Sequence, residues 1–361
     1  MLQNDNKPTR YKAIGYVSHG GGFPLVEFER EVPTPKDDEL LIKVIGSSLN
    51  PLEFKLADLN FFGNQPPVAL GFDVSGVVIA VGSKVDAFEP GDAVVAMADC
   101  NGHGGWAATG GGGYAVVRQF LAAKKPETVS FSEAGALPVC FLAAFLGLYD
   151  HVKPGDVVYI PGGGGGVGHL AIQIAARALG ASLVISSGST EESKALLAAS
   201  GAGAVIDYKT EDATARVRTL TAGRGADVVF DPTYNEDSYV NSAHAVRDGG
   251  TWIVLGVGPG RTTRTKVTYS PVDEILSGKG AAHINANVLT YFSNGYTFDE
   301  ATKAYFRMAM EASMRWHIEG KVRPKISKEI RSSVEEINAG LSELKRASGV
   351  YGKIAVNVAH P

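Results

Sequence analysis

The chain has 361 residues, more than one hydrophobic core usually organises, so two domains are expected. A hydrophobic share of 45% fits a globular protein, while a net charge of −4 and the lack of any basic run argue against a nucleic-acid footprint. No apolar stretch is long enough to span a bilayer. Cys100 and Cys140 are too few for a disulfide framework or a four-cysteine zinc site, and the N-terminal MLQNDNKPTRYKA has no apolar signal region, so a reduced, cytoplasmic protein is expected.

In chain order, residues 11–17 and 41–48 read as strands, separated by a turn with Pro33, Pro35 and the acidic run Asp37-Asp38-Glu39. Ser48 to Glu53 reads as a loop or helix start, because Pro51 suits a first helical turn. From Gly71 to Met97, short β-rich runs broken by Gly-Ser and Pro-Gly-Asp give an antiparallel, barrel-like pattern. A glycine-rich loop, Asn101 to Gly113, leads into a strand at Tyr114–Val117. One helix is expected from Ser132 to about Asp150, and Pro154-Gly155 turns into the strand Val157–Ile160.

The glycine run from Gly162 to Gly166 and Gly168 follows that strand, and Gly163, Gly165 and Gly168 fit G-x-G-x-x-G. Apolar residues at Val167, Leu170, Ala171, Ile174, Ala175 and Ala178 then mark a helix buried on one face, with Gly180 as its C-cap. Strand, glycine turn and helix suit a dinucleotide pyrophosphate: the glycines allow close backbone approach and the helix N-terminus offers free N–H groups. A flexible linker lacks such flanking elements. The pattern then alternates: strands Ser182–Ser187, Ala204–Tyr208, Asp227–Phe230 and Trp252–Gly256, with helices Glu191–Ser200, Glu211–Thr221 and Asp237–Val246 between them. That order implies a doubly wound parallel sheet, an α/β fold. Helices return from about Thr290, and the terminal strand Gly352–Val356 is free to rejoin the N-terminal part.

These segments resemble the medium-chain dehydrogenase/reductase superfamily, in particular its zinc-free quinone oxidoreductase (zeta-crystallin-like) branch. The matching text is Asn50-Pro51-Leu52-Glu53, Gly71 to Val94, Gly112 to Ala115, Ala136-Leu137-Pro138, Gly162 to Gln173, Val205 to Tyr208 and Gly352-Lys353-Ile354. The resemblance implies a GroES-like β-barrel catalytic domain over 1–132 and 290–361, and a Rossmann dinucleotide-binding domain over 133–289. It also implies a homodimer formed through an outer strand near Ala282–Val288, since identical edge strands satisfy each other's backbone groups.

Zinc-dependent relatives carry a Cys near the first helix and a Gly-His-Glu; this chain has Gly71-Phe72-Asp73 and no Cys near Asn50, so no metal is expected. Cys100 and His103 stand at C-x-x-H spacing, a pair without further ligands. The second strand of the alternating unit ends Ser187-Gly188-Ser189 with no acid to hold a ribose 2′-hydroxyl. With Lys194 and Tyr208 this resembles the family's 2′-phosphate pocket, which implies NADPH, although Lys194 also suits a solvated helix face. Candidate cofactor-binding residues are Gly163, Gly165, Gly166, Val167, Gly168, Ser187, Ser189, Lys194, Tyr208 and Gly256.

By the same resemblance Asn50 and Glu53 are the candidate catalytic residues beside the nicotinamide. Asn50 suits hydrogen-bond donation to a carbonyl oxygen gaining charge, or a helix N-cap; Glu53 suits orientation of a neighbouring group, or an exposed helix position. Two departures stand out. Ala143 occupies the place of a usual Thr, and Phe54-Lys55 the place of a usual Tyr. The 99–113 loop with Trp106 is expected to shape a substrate pocket, or to pack. The implied activity is hydride transfer from NADPH to a small electrophile, a quinone or the β-carbon of an enone. An enoyl-thioester reductase and a non-catalytic NADPH-binding protein are the alternatives.

Overall fold

The computed structural model describes residues 9–100, 102–108, 112–255, 269–292, 296–346 and 349–358. Six parallel strands form one sheet in the spatial order Ala204–Ile206, Leu183–Ser187, Val157–Ile160, Ala226–Asp231, Val246–Val254 and Ala282–Asn285. Winding runs outward in both directions from Val157–Ile160, so the order reverses between that strand and Ala226–Asp231. Ligands of open α/β sheets lie beyond the strands' C-terminal ends at such a switch point.

A second, mostly antiparallel sheet of seven strands gathers both ends of the chain. Its backbone is Glu39–Ser48, which pairs with Asp73–Val81 and Gly113–Arg118 along its length and, at its end, with Lys353–Asn357. The pairing Ser48↔Ala355 brings the C-terminal strand beside Asn50. A smaller sheet joins Val26–Glu31, Arg10–Tyr16 and Val68–Ala69. No helix among the described residues is long and apolar enough to cross a membrane.

Several expected elements shift. The helix expected over 132–150 is two, Phe131–Gly135 and Pro138–Leu148, because Pro138 starts a new helix and Ser130, with Glu133, caps the first. The glycine-turn helix is regular only over Gly166–Gln173, then widens over Ile174–Ala178, where Leu179 N–H reaches Ile174 O at 2.9 Å. The strand expected over 252–256 is longer, Val246–Val254, and that expected over 204–208 is shorter, Ala204–Ile206. Val26–Glu31 and Ile326–Arg331 escape the sequence pattern because both are charged strands at sheet edges with largely exposed side chains. Helix Ser270–Gly278, absent from that pattern, packs beside Ala282–Asn285.

Candidate active site

A cavity of about 510 Å³ opens at the switch point. One wall is the glycine turn with Ser187, Ser189 and Tyr208; the facing wall is Asn50, Cys140 and Lys353 with apolar Leu52, Phe54, Met97, Val139 and Ala143. Polar and apolar ends thus suit a ligand with an anionic and an apolar part.

The glycines are required for different reasons. Gly162 has φ +61°, a left-handed conformation that costs an L side chain energy. A Cβ on Gly163 would lie 2.3 Å from Ser186 Oγ, and one on Gly168 would lie 2.6 Å from Gly163 Cα, so these two let turn, helix and strand close up. Gly163 therefore sits behind the wall, whereas Gly165, Gly166, Val167 and Gly168 line it. Gly165 has open space where its Cβ would be. Gly165→Ala should therefore fold with a stability within about 0.5 kcal/mol of wild type, yet weaken dinucleotide binding by roughly tenfold or more by filling the cradle. Fluorescence titration with NADPH beside a thermal melt checks both halves.

Ser187 Oγ accepts from Gly162 N at 3.0 Å, tying the turn to its strand, and Ser189 Oγ donates to Tyr208 Oη at 2.9 Å. Ser187, Ser189 and Tyr208 thus gather as expected. Lys194 stands apart: its ammonium pairs with Asp207 at 3.0 Å and Glu191 at 3.3 Å, outside the cavity wall. Lys209, unmarked in the sequence pattern, lines the wall beside Tyr208. Gly256 lies outside the described residues.

On the facing wall a buried ionic cluster organises Asn50. Lys353 Nζ donates to Asn50 Oδ1 at 2.5 Å, Leu49 O at 3.2 Å and Cys140 Sγ at 3.4 Å, and pairs with Asp73 Oδ2 at 3.1 Å. Asp73 also accepts from Asn50 Nδ2 at 2.9 Å, from Val139 N at 2.7 Å and from Ser48 Oγ. Burial alone would lower the Lys353 ammonium; Asp73, then Cys140 and Glu53, more than offset it and hold it above its ordinary value. Burial pushes the Cys140 thiol up.

Glu53 is fully buried, against the exposed helix position it also suits in sequence. Its carboxyl accepts from Asn50 N at 2.8 Å, with Asn50 Nδ2 and Phe72 N at 3.5 Å. Burial, with the Asp73 charge adding, raises it to about 8. Asn50 occupies the N-cap position of helix Pro51–Leu59, but its amide turns into the cluster, with its hydrogens directed at Asp73 and Glu53. Asp73 and Lys353 stand within the quoted motifs but are not among the candidate site residues. The available signals were a lone Lys opening an apolar terminal strand and an Asp where zinc-dependent relatives carry the Glu of Gly-His-Glu.

Trp106 does not shape the cavity. It is fully buried, donates from Nε1 to Ser47 Oγ at 2.9 Å, and fills the slot left by Gly71, whose Cβ would lie 2.5 Å from the indole. Among the described residues no three His, Cys, Asp or Glu side chains gather to hold a metal ion. Cys100 is buried, and His103 Nδ1 faces Arg30 Nη2 at 3.1 Å, held down to about 4 by burial and by that guanidinium.

Comparison with known proteins matches residues 36–130 to the alcohol dehydrogenase GroES-like domain and 166–294 to the zinc-binding dehydrogenase family. Among curated relatives are a 2-methylene-furan-3-one reductase from Solanum lycopersicum and a chloroplastic NADPH-dependent alkenal/one oxidoreductase from Arabidopsis thaliana. Each is 34% identical over 253 residues, covering 69% of this chain and 63% of the relative. The solved quinone oxidoreductase from Coxiella burnetii superposes with a TM-score of 0.73 at 28% identity, over 97% of this chain and 99% of its own. The strand order, the glycine turn and these matches agree, and the chain belongs to the medium-chain dehydrogenase/reductase superfamily, in its quinone oxidoreductase branch.

Proposed function

We propose that the protein is an NADPH-dependent reductase of small electrophiles, quinones or enones. The observation that carries this is the continuous cavity running from a glycine cradle to a largely apolar wall backed by Asn50, Asp73 and Lys353. The named activities of the two plant relatives support it. On this reading, residues 133–289 hold the cofactor, and 1–132 with 290–361 present the acceptor.

The residues present fit a dinucleotide: Gly165 leaves the cradle open, and the first N–H groups of helix Gly166–Gln173 border it. Ser187, Ser189, Tyr208 and Lys209 would hold the adenosine end, its 2′-phosphate included. NADPH, when bound, supplies the hydride. The chain's own part is to position and to exclude water. Asn50 and Glu53 do so by fixing the floor of the cavity, Glu53 orienting Asn50 and Asn50 joining Asp73 to Lys353.

The test follows cofactor oxidation by absorbance with 1,4-benzoquinone, an alkenal, a cyclic enone and crotonyl-CoA, each with NADPH and NADH. Turnover of the quinone or enone with preference for NADPH is expected, whereas turnover of the thioester alone would transfer the assignment to an enoyl reductase. Lys209→Ala should raise the KM for NADPH roughly tenfold and leave that for NADH unchanged, the loss typical of one charge-assisted contact. Lys194→Ala should leave the ratio of the two as it is, since Asp207 and Glu191 already neutralise that ammonium.

A further inference from the structure

The acceptor's carbonyl oxygen needs a hydrogen-bond donor as it gains charge, and the residues around Asn50 have little to give. Both amide hydrogens of Asn50 are directed at the carboxyl groups of Asp73 and Glu53, Glu53 itself does not line the cavity, the Lys353 ammonium is shared among four acceptors, and Ala143 offers no polar atom. The strand that forms the other side of the switch point, Ala226–Asp231, continues into Pro232-Thr233-Tyr234, and all three of these residues line the same cavity. Tyr234 has φ +55°, a left-handed conformation that is costly for a bulky aromatic and persists only where its surroundings over-determine it.

Those surroundings are explicit. The buried Asp231 carboxyl accepts from Thr233 N at 2.9 Å and Thr233 Oγ1 at 2.6 Å, and from Ser238 Oγ and Ser242 Oγ at 2.8 Å each. Trp252 Nε1 anchors Ser242 in turn at 2.8 Å. Thr233 packs on the glycine turn, where a Cβ on Gly162 would meet its Cγ2 at 2.9 Å. The loop is thus held rigidly in the one shape that turns the Tyr234 ring to the cavity. Across it the Lys55 ammonium lies 4.3 Å from the Tyr234 ring centroid, and Lys55 also lines the cavity. Among the described residues the Tyr234 hydroxyl has no protein hydrogen-bond partner. Burial, with the Cys140 thiol adding, keeps it in the protonated form.

We infer that Tyr234 is a catalytic proton donor to the carbonyl oxygen of the acceptor, with Lys55 as its positioning cation. The inference rests on the reductase reading above. It also accounts for the family's usual Tyr being replaced by Phe54-Lys55: the hydroxyl comes from the opposite wall, and the lysine beside the lost position steadies it.

For an enone the balance is as follows. The β-carbon gains a C–H bond with the hydride pair, which NADPH would supply by losing a C–H bond and becoming NADP+; the C=C π pair moves to the α-carbon–carbonyl carbon bond, and the C=O π pair moves onto oxygen. That oxygen takes the proton as the Tyr234 O–H bond breaks, giving an enol that returns to the ketone in water. The Tyr234 phenolate, below the Lys55 ammonium, regains a proton from water.

The test compares wild type with Tyr234→Phe, which keeps the ring and its contact with Lys55. On the cyclic enone, kcat should fall by roughly a hundredfold, within the range for loss of a general acid, with the NADPH dissociation constant unchanged. Lys55→Met should lower kcat as well, and the double variant should be no slower than Tyr234→Phe, because the lysine acts through the tyrosine. Binding of 4-nitrophenolate, an oxyanion resembling the enolate, is read by its absorbance change without turnover; Tyr234→Phe should weaken it about tenfold. An active wild type matched by Tyr234→Phe in both kcat and 4-nitrophenolate binding overturns the assignment alone. A wild type that oxidises NADPH with neither the quinone, the alkenal nor the cyclic enone overturns the reductase reading and the proton donation with it.

Discussion

Lys353→Met should lower the unfolding free energy by about 3–5 kcal/mol, the usual loss when one partner of a buried ion pair is removed. The side chain is 2% exposed and its partner Asp73 is fully buried. Methionine fills much the same volume, so packing changes little and the loss reports the charge. Without the ammonium, Asp73 keeps hydrogen bonds from Ser48, Asn50 and Val139 but loses its counter-charge in a site where water cannot supply one. Glu53 loses the same cation at longer range.

The double variant Lys353→Met/Asp73→Asn separates charge from shape. With the carboxylate replaced by a neutral amide, most of the lost stability should return, leaving a deficit of about 1–2 kcal/mol for hydrogen bonds to Asn50 and Leu49. Urea unfolding followed by the fluorescence of Trp106, Trp252 and Trp316, all buried, measures both. If the single variant unfolds at the wild-type midpoint, the cluster is not holding this part of the fold together.

That cluster also marks where the sequence stops being readable. The glycine turn could be read because its chemistry is local: strand, turn and helix follow one another, and the close approach of Gly168 to Gly163 is written into the six residues 163–168. The C-terminal strand was equally plain as an apolar run. Its partner was not, because Lys353 and Asn50 are 303 residues apart and only the pairing Ser48↔Ala355 puts them together. Trp106 shows a choice the sequence left open. In sequence a tryptophan in a glycine loop could shape a pocket or pack, and it packs, because Gly71 leaves a slot that only the folded sheet reveals. Lys194 differs for a third reason: its ammonium pairs with Asp207, just past the end of the next strand, a partner the local pattern does not show. Tyr234 carried no motif at all, since what singles it out is a backbone angle.

Glu53→Gln should remove a loss of stability with rising pH that one buried carboxyl gives the wild type. In the unfolded chain the Glu53 carboxyl loses its proton near 4.5; in the fold, burial and then the Asp73 charge delay that loss to about 8, with Lys353 pulling the other way. Between those values the native chain binds one more proton than the unfolded chain, so stability falls as pH rises, by at most about 1.4 kcal/mol per unit. The contribution is complete below about 4.5 and gone above about 8. Other carboxylates lowered in the fold, Asp227 and Glu336 among them, act in the opposite sense but are finished below their own ordinary values. His103, His151, His169 and His317, lowered in the fold by burial, also act in the opposite sense as the unfolded chain loses its imidazole protons near 6.5, but they do so equally in wild type and variant. Across the upper half of the window the stability of the wild type should therefore fall relative to that of Glu53→Gln, which resembles the protonated acid, by the equivalent of roughly 2 kcal/mol in paired urea titrations. Because Glu53 orients Asn50 through the 2.8 Å bond to its backbone N–H, the same titration should appear in activity as a decline on the alkaline side that the variant lacks. A constant gap between wild type and Glu53→Gln across the window would mean that Glu53 is ionised in the fold and that Lys353 serves two carboxylates at once.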